Sequence, residues 1–174
     1  MFARRSRTKP PRSGTPAQTP GESPREPVAR VGGSRPSAVP VVVPTTAVLQ
    51  QILDGFGLVH LIDEDGDLVV RWERCSVYFF HYGDHDEVLQ ARLYLNARFD
   101  VDNRPALTVL LDDWNRTKLF PKAYTILPDD GMVGVCAEHA FDFESGGTRE
   151  QLSFTVGSWI NTLLRFADWI DEQV

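Results

Sequence analysis

His81-Tyr82-Gly83-Asp84-His85-Asp86-Glu87 places two imidazoles and three carboxylates within seven residues. Those are the residue types that bind zinc or manganese. The same segment falls where two strands must be joined, and Gly83-Asp84 supplies the backbone freedom of a turn without any metal. A turn is therefore its expected role. Asp63, Asp65 and Gly66 suggest a calcium loop, but setting Gly66 at the sixth position puts Leu61 at the first and Trp72 at the twelfth. Those places require Asp and a bidentate Glu, so the match fails.

Nucleophilic chemistry finds no better footing. Cys75 and Cys136 stand among apolar neighbours in expected strands, whereas a reactive thiolate needs an accessible, electropositive setting. Glu138-His139 follows Cys136, but positions three apart on a strand face opposite sides of a sheet, so no Cys and His pair forms. Gly146-Gly147 precedes a helix and could cradle a phosphate, yet it belongs to no longer glycine pattern and Glu144 lies close by. A loop ahead of a helix cap accounts for it. No catalytic residues, metal ligands or cofactor are expected.

These residues need elements to hold them. Thr45 to Gly57 reads as a first helix, capped by Thr45 or Thr46, with Val48, Leu49, Ile52, Leu53 and Phe56 on one face. Leu68 to Trp72 alternates as a strand after the turn Asp63-Glu64-Asp65-Gly66-Asp67. Cys75 to Tyr82 is apolar on both faces and is expected in the middle of a sheet, while Glu87 to Asn96 alternates and is expected half solvated. A second helix starts near Pro105 and presents Leu107, Leu110, Leu111 and Trp114 to a core. Lys122 to Leu127 and Met132 to Phe143 form a ribbon joined through Pro128-Asp129-Asp130-Gly131.

The last helix opens with Thr148 and Gln151 in capping-box spacing. Leu152, Val156, Trp159, Ile160, Leu163, Ala167 and Ile170 form its inward stripe. At about 100° per residue, Phe154 lies about 200° and Trp169 about 260° from Leu152, which makes both candidates for contact with another surface.

The 174 residues support one domain with a core, and their 42% hydrophobic fraction excludes global disorder. No apolar run reaches the roughly 20 residues of a membrane helix. The net charge of -6 conceals a division near residue 44. Eight of the 18 basic residues, two of the 24 acidic ones and nine of the 12 prolines precede it, so the first part carries +6 and the remainder -12. Residues 1 to 44 are expected to form a disordered Pro- and Arg-rich tail, because they have too little to bury.

The basic start is followed by no apolar stretch, so it is not read as a secretory signal, and a reduced cytoplasm suits two isolated cysteines. The tail's bias toward Arg, Pro, Gly and Ala is that of GC-rich coding sequence, with Val41 to Val43 standing where an alternative start codon would open the domain. Residues 45 to 174 are the expected α+β domain.

The ordered run Glu64-Asp65-Gly66-Asp67-Leu68-Val69-Val70, then Trp114-Asn115, Pro121-Lys122-Ala123-Tyr124, Asp130-Gly131 and Gly147-Thr148-x-x-Gln151-Leu152 resembles the YbjN-type family of bacterial sensory transduction regulators. The resemblance covers about residues 46 to 172. It implies an α-β-β-β-α-β-β-α sandwich, a twisted antiparallel sheet with helices similar to type III secretion chaperones. It also implies a regulatory or protein-binding role without catalysis, and it brings no active site with it.

The resulting expectation is a non-catalytic cytoplasmic binding module. Its contact residues are Arg71, Glu73, Gln90 and Arg92 on a sheet face, with Phe154 and Trp169 on the last helix. Its partner is an unidentified protein or, as a homodimer, a second copy. The folded domain is expected to hold no nucleic acid, since its -12 repels phosphate. The alternatives are a small-ligand sensor, or a metal protein or enzyme built on His81, Asp84, His85 and Asp86.

Overall fold

A computed structural model of the chain describes residues 39–174. Residues 1–38 of the expected Pro- and Arg-rich tail lie outside the described residues. From Thr45 onward the elements are α1 (Thr46–Gly55), β1 (His60–Ile62), β2 (Leu68–Arg71), β3 (Cys75–Tyr82), β4 (Val88–Leu95), α2 (Arg104–Thr117), β5 (Lys122–Ile126), β6 (Gly134–Asp142) and α3 (Arg149–Asp171). The six strands pair antiparallel throughout, in the order β1-β2-β3-β4-β6-β5. The fold is α+β, as the periodicities indicate, with β1 as an additional short edge strand. Its three residues show no alternation of burial, so they carry no period for a sequence reading to find.

Local chemistry explains where the helices begin. Thr45 Oγ1 accepts from the Val48 amide at 3.4 Å and starts α1. Thr148 Oγ1 accepts from the Gln151 amide at 3.1 Å while Gln151 Oε1 accepts from the Thr148 amide at 2.9 Å, so two orphan donors at the start of α3 are satisfied reciprocally. Leu49 and Leu53 of α1, Leu107 and Leu111 of α2, and Leu152, Val156 and Leu163 of α3 share one cluster with Val77, Phe79, Leu89, Leu93 and Val135 of the sheet. At about 1.5–3 kcal/mol for each fully buried large side chain, this layer contributes most of the favourable term in folding.

The Trp-Asn and Pro-Lys-x-Tyr segments meet at one junction. Trp114 Nε1 donates to the Pro121 carbonyl at 2.9 Å. Asn115 Nδ2 donates to the Ala123 carbonyl at 2.8 Å, and Asn115 Oδ1 accepts from the Ala123 amide at 3.0 Å. The Asn115 side chain thus pairs with β5 as a neighbouring strand would, which fastens α2 to the sheet.

Two expectations change. Trp169 is half-buried, its ring 4.7 Å from that of Trp114 and 6.0 Å from that of Phe166, because α2 packs against the flank of α3 that a single stripe left free. Chain before residue 45 also docks on the domain. The Val42 amide donates to Gly147 at 2.8 Å and the Gly147 amide returns a bond to Val42 at 3.0 Å. Pro44 is buried, and its carbonyl accepts from His81 Nε2. Gly146, at φ 68°, stands beside this pairing, and a Cβ there would lie 2.5 Å from Val41 Cγ1. Only glycine suits that place. A chain of residues 45–174 is therefore expected to be about 1–3 kcal/mol less stable than one of residues 39–174, through two lost hydrogen bonds and an unpaired His81. Equal urea midpoints for the two chains would contradict this.

Candidate functional site

Alternation along the strands divides the sheet into two faces. Val77, Phe79, Leu89, Leu93 and Ala137 point toward the helices, whereas Tyr78, Phe80, Gln90, Arg92, Tyr94, Tyr124 and Glu138 point to the other side, which no described helix covers. The pairing register sets Val69, Tyr78, Arg92, Glu138 and Lys122 in one row across five strands. Tyr78 stacks on Phe80 at 5.8 Å and meets Tyr94 edge-on at 5.6 Å.

Arg92 lies at the centre of this face, with its guanidinium carbon 5.4 Å from the Phe80 ring centroid. Its Nε donates to Glu138 Oε2 at 2.9 Å and its Nη1 to Tyr94 Oη at 3.3 Å. Tyr124 donates to the same Glu138 oxygen at 2.6 Å. Burial works against the Arg92 charge, but the bond to Tyr94 and the nearby Glu138 outweigh it and hold the guanidinium above its ordinary value. Burial first, then the bond to Glu138, pushes the Tyr124 phenol up. Gln90 is only 8% exposed, and its Oε1 has no hydrogen-bond partner among the described residues.

One edge of the face is concave. The turn between β1 and β2 is held by Asp63 Oδ1, which accepts from the Asp65 amide at 3.0 Å and the Asp67 amide at 2.9 Å. This leaves Asp63, Asp65 and Asp67 as one wall of a cavity of about 410 Å³, floored by Tyr78, Phe80 and Tyr94 and closed by Asn96 and Arg98. Partial burial, then the charges of Asp63 and Asp65, raises the Asp67 carboxyl above its ordinary value. Aromatic faces beside carboxylates attract a cation or a flat guanidinium.

The expected contact residues separate. Arg71, Gln90 and Arg92 share the helix-free face, although Gln90 is buried and Arg92 is committed to Glu138. Glu73 lies exposed in the turn between β2 and β3, where its carbonyl accepts from Asn96 Nδ2 at 2.8 Å. Phe154 is 79% exposed on α3, in the helix layer, and Trp169 packs internally as described. Tyr78, Phe80, Tyr94, Tyr124 and Glu138 were not foreseen as site residues. Apolar character on both faces of β3 signals a doubly covered strand, and here the second set of side chains forms the aromatic floor instead.

The remaining chemical groups are accounted for locally. Gly83 takes φ 98° in the turn, and Glu87 Oε2 accepts from the His85 amide at 2.8 Å. No group of three or more His, Cys, Asp or Glu able to hold a metal occurs among the described residues. Burial pushes the Cys75 thiol up to about 11 and the Cys136 thiol up to about 12, so neither supplies a thiolate near neutrality. His139 points to the helix layer, between Phe120 at 5.1 Å and Trp159 at 5.6 Å. It is on the opposite face of the sheet from Cys136.

Residues 45–172 match the family YbjN, described as "putative bacterial sensory transduction regulator". The chain belongs to the YbjN family. The crystal structure of YbjN from E. coli, called "a putative transcription regulator", is similar at a TM-score of 0.65 and 18% identity, covering 77% of this chain and 96% of that one. At that identity the likeness is one of fold. No curated protein matches the chain. The YbjN-family assignment places the chain with regulators, and no helix among the described residues is long and apolar enough to cross a membrane.

Proposed function

We propose that this YbjN-family domain is a non-catalytic regulatory module that binds a protein partner on its helix-free sheet face, in the chaperone-like manner its fold resemblance suggests. The observation that carries the reading is the aromatic floor of Tyr78, Phe80 and Tyr94 beside the carboxylates of Asp63, Asp65 and Asp67. Such a surface suits a segment that presents Lys or Arg together with an apolar side chain. The cation is drawn by the carboxylates and the ring faces, and the apolar group by the area removed from water. The net charge of -12 on residues 45–174 favours basic protein segments and opposes nucleic acid. The same reading places the protein in the cytoplasm.

Selection of a random peptide library on the full chain tests this. The expected result is enrichment of Lys or Arg next to aromatic or aliphatic residues. Binding of the selected peptides should fall at least tenfold in an Asp65→Asn, Asp67→Asn double variant, and again in Tyr78→Ala. Peptides without basic residues, or affinities indifferent to these changes, would reject the assignment. A small metabolite that alone raises the melting temperature would favour a ligand sensor.

A further inference from the structure

The outer side of α3 holds a second cavity, of about 890 Å³, rimmed by Phe56, Phe154, Gly157, Ser158, Asn161 and Thr162. It lies in the helix layer, away from the sheet face just described. Along this side Glu150, Phe154, Ser158, Asn161 and Arg165 are all exposed, and their spacing of three and four places them on one face of the helix. Phe154 projects from it with 79% of its surface exposed. Next to it Gly157 leaves a hollow, walled by the Phe56 ring that a Cβ at Gly157 would approach to 3.2 Å. One surface thus carries both a projecting aromatic ring and a recess.

The order of charges indicates what fits there. Glu150 and Arg165 make no ion pair or side-chain hydrogen bond among the described residues. They stand about 22 Å apart along the axis at 1.5 Å per residue, equally far from the bond between Gly157 and Ser158. Arg149, about 100° round the helix from Glu150, stands off this line but lines the edge of the same cavity.

We infer that the outer face of α3 binds a second copy of this chain, with the two helices antiparallel about a two-fold axis at Gly157 and Ser158. That axis sets Glu150 of each copy opposite Arg165 of the other, and Phe154 of each copy over the recess beside Asn161 of the other. A uniformly acidic or basic partner would oppose one end of the face with a like charge. A second copy satisfies both ends, as an isologous contact requires. A contact centred on two helices falls at the small end of stable interfaces, so the dimer dissociates on dilution.

Sedimentation of the full chain over a range of concentrations reads this directly. A monomer–dimer equilibrium is expected, and Phe154→Glu should abolish the dimer without changing the circular dichroism spectrum, since the side chain is exposed. Glu150→Arg and Arg165→Glu should each weaken the dimer at least tenfold, whereas both changes in one chain should restore it. Ser158→Cys should cross-link to itself under mild oxidation, because the native Cys75 and Cys136 are buried. A monomer at every concentration, a dimer untouched by Phe154→Glu, or a charge exchange that fails to restore association would overturn the inference.

Discussion

Trp114→Ala is expected to lower the free energy of unfolding by about 3–5 kcal/mol, the range for removing a large aromatic from a core. Trp114 is 7% exposed, its ring lies 5.2 Å from Phe166 and 4.7 Å from Trp169, and its Nε1 donates to the Pro121 carbonyl. Alanine removes the contacts that join α2 to α3 and leaves the carbonyl before β5 without its donor. Trp114→Phe separates the two losses. It keeps much of the ring volume and gives up the hydrogen bond, so its cost should be nearer 1–2 kcal/mol, about that of one unpaired buried acceptor. Urea unfolding of the two variants beside wild type measures both, and an alanine variant with the wild-type midpoint would mean that the junction is not a core contact.

His139 gives the second large effect, through pH. It is 5% exposed, its Nε2 lies 2.8 Å from Thr162 Oγ1, and burial pushes its imidazole down to about 4 from the ordinary 6.5. The unfolded chain takes up this proton near pH 6.5 and the folded chain only near pH 4. Stability attributable to the neutral ring is therefore complete above pH 6.5 and declines as pH falls toward 4. At about 1.4 kcal/mol per pH unit of difference, the total loss is about 3 kcal/mol. Urea midpoints of wild type and His139→Gln, each taken at pH 7.5 and pH 4.5, test the assignment. The wild type should lose more than the variant, and equal losses would place the acid sensitivity on other groups. The buried thiols act oppositely. Their raised values keep the folded state protonated while the unfolded chain ionises, so that stability declines at alkaline pH.

Periodicity revealed the elements that bury a regular stripe. Leu107, Leu111 and Trp114 on α2, the inward stripe of α3 and the turn ending at Gly131 all follow from spacing and residue type. What escaped it depends on relations between distant segments. Val42 pairs with Gly147 through backbone atoms alone, which leaves no side-chain signature. Trp169 is off the main stripe of α3 and is covered by α2, a packing that no single helical wheel contains. At the candidate site, Arg71, Gln90 and Arg92 were recognisable as one face of alternating strands. The commitment of Arg92 to Glu138, by contrast, requires the register between β4 and β6. The aromatic floor stayed hidden because Tyr78 and Phe80 have the same apolar character as the core side of their own strand.

The strand order also constrains how the chain is made. β4 pairs with β6, joining Val88 to Asp142, and α3 is the last element of the described chain. A ribosome that has finished β4 must therefore add α2, β5 and β6 before the sheet gains its next neighbour, an interval of several seconds at about 5–20 residues per second. During that interval the nascent β2-β3-β4 meander shows Val77, Phe79, Leu89 and Leu93 to solvent without the α3 stripe that later covers them. Transiently exposed apolar surface of this kind is what makes partly folded chains prone to aggregate, and the emergence of α3 ends that exposure.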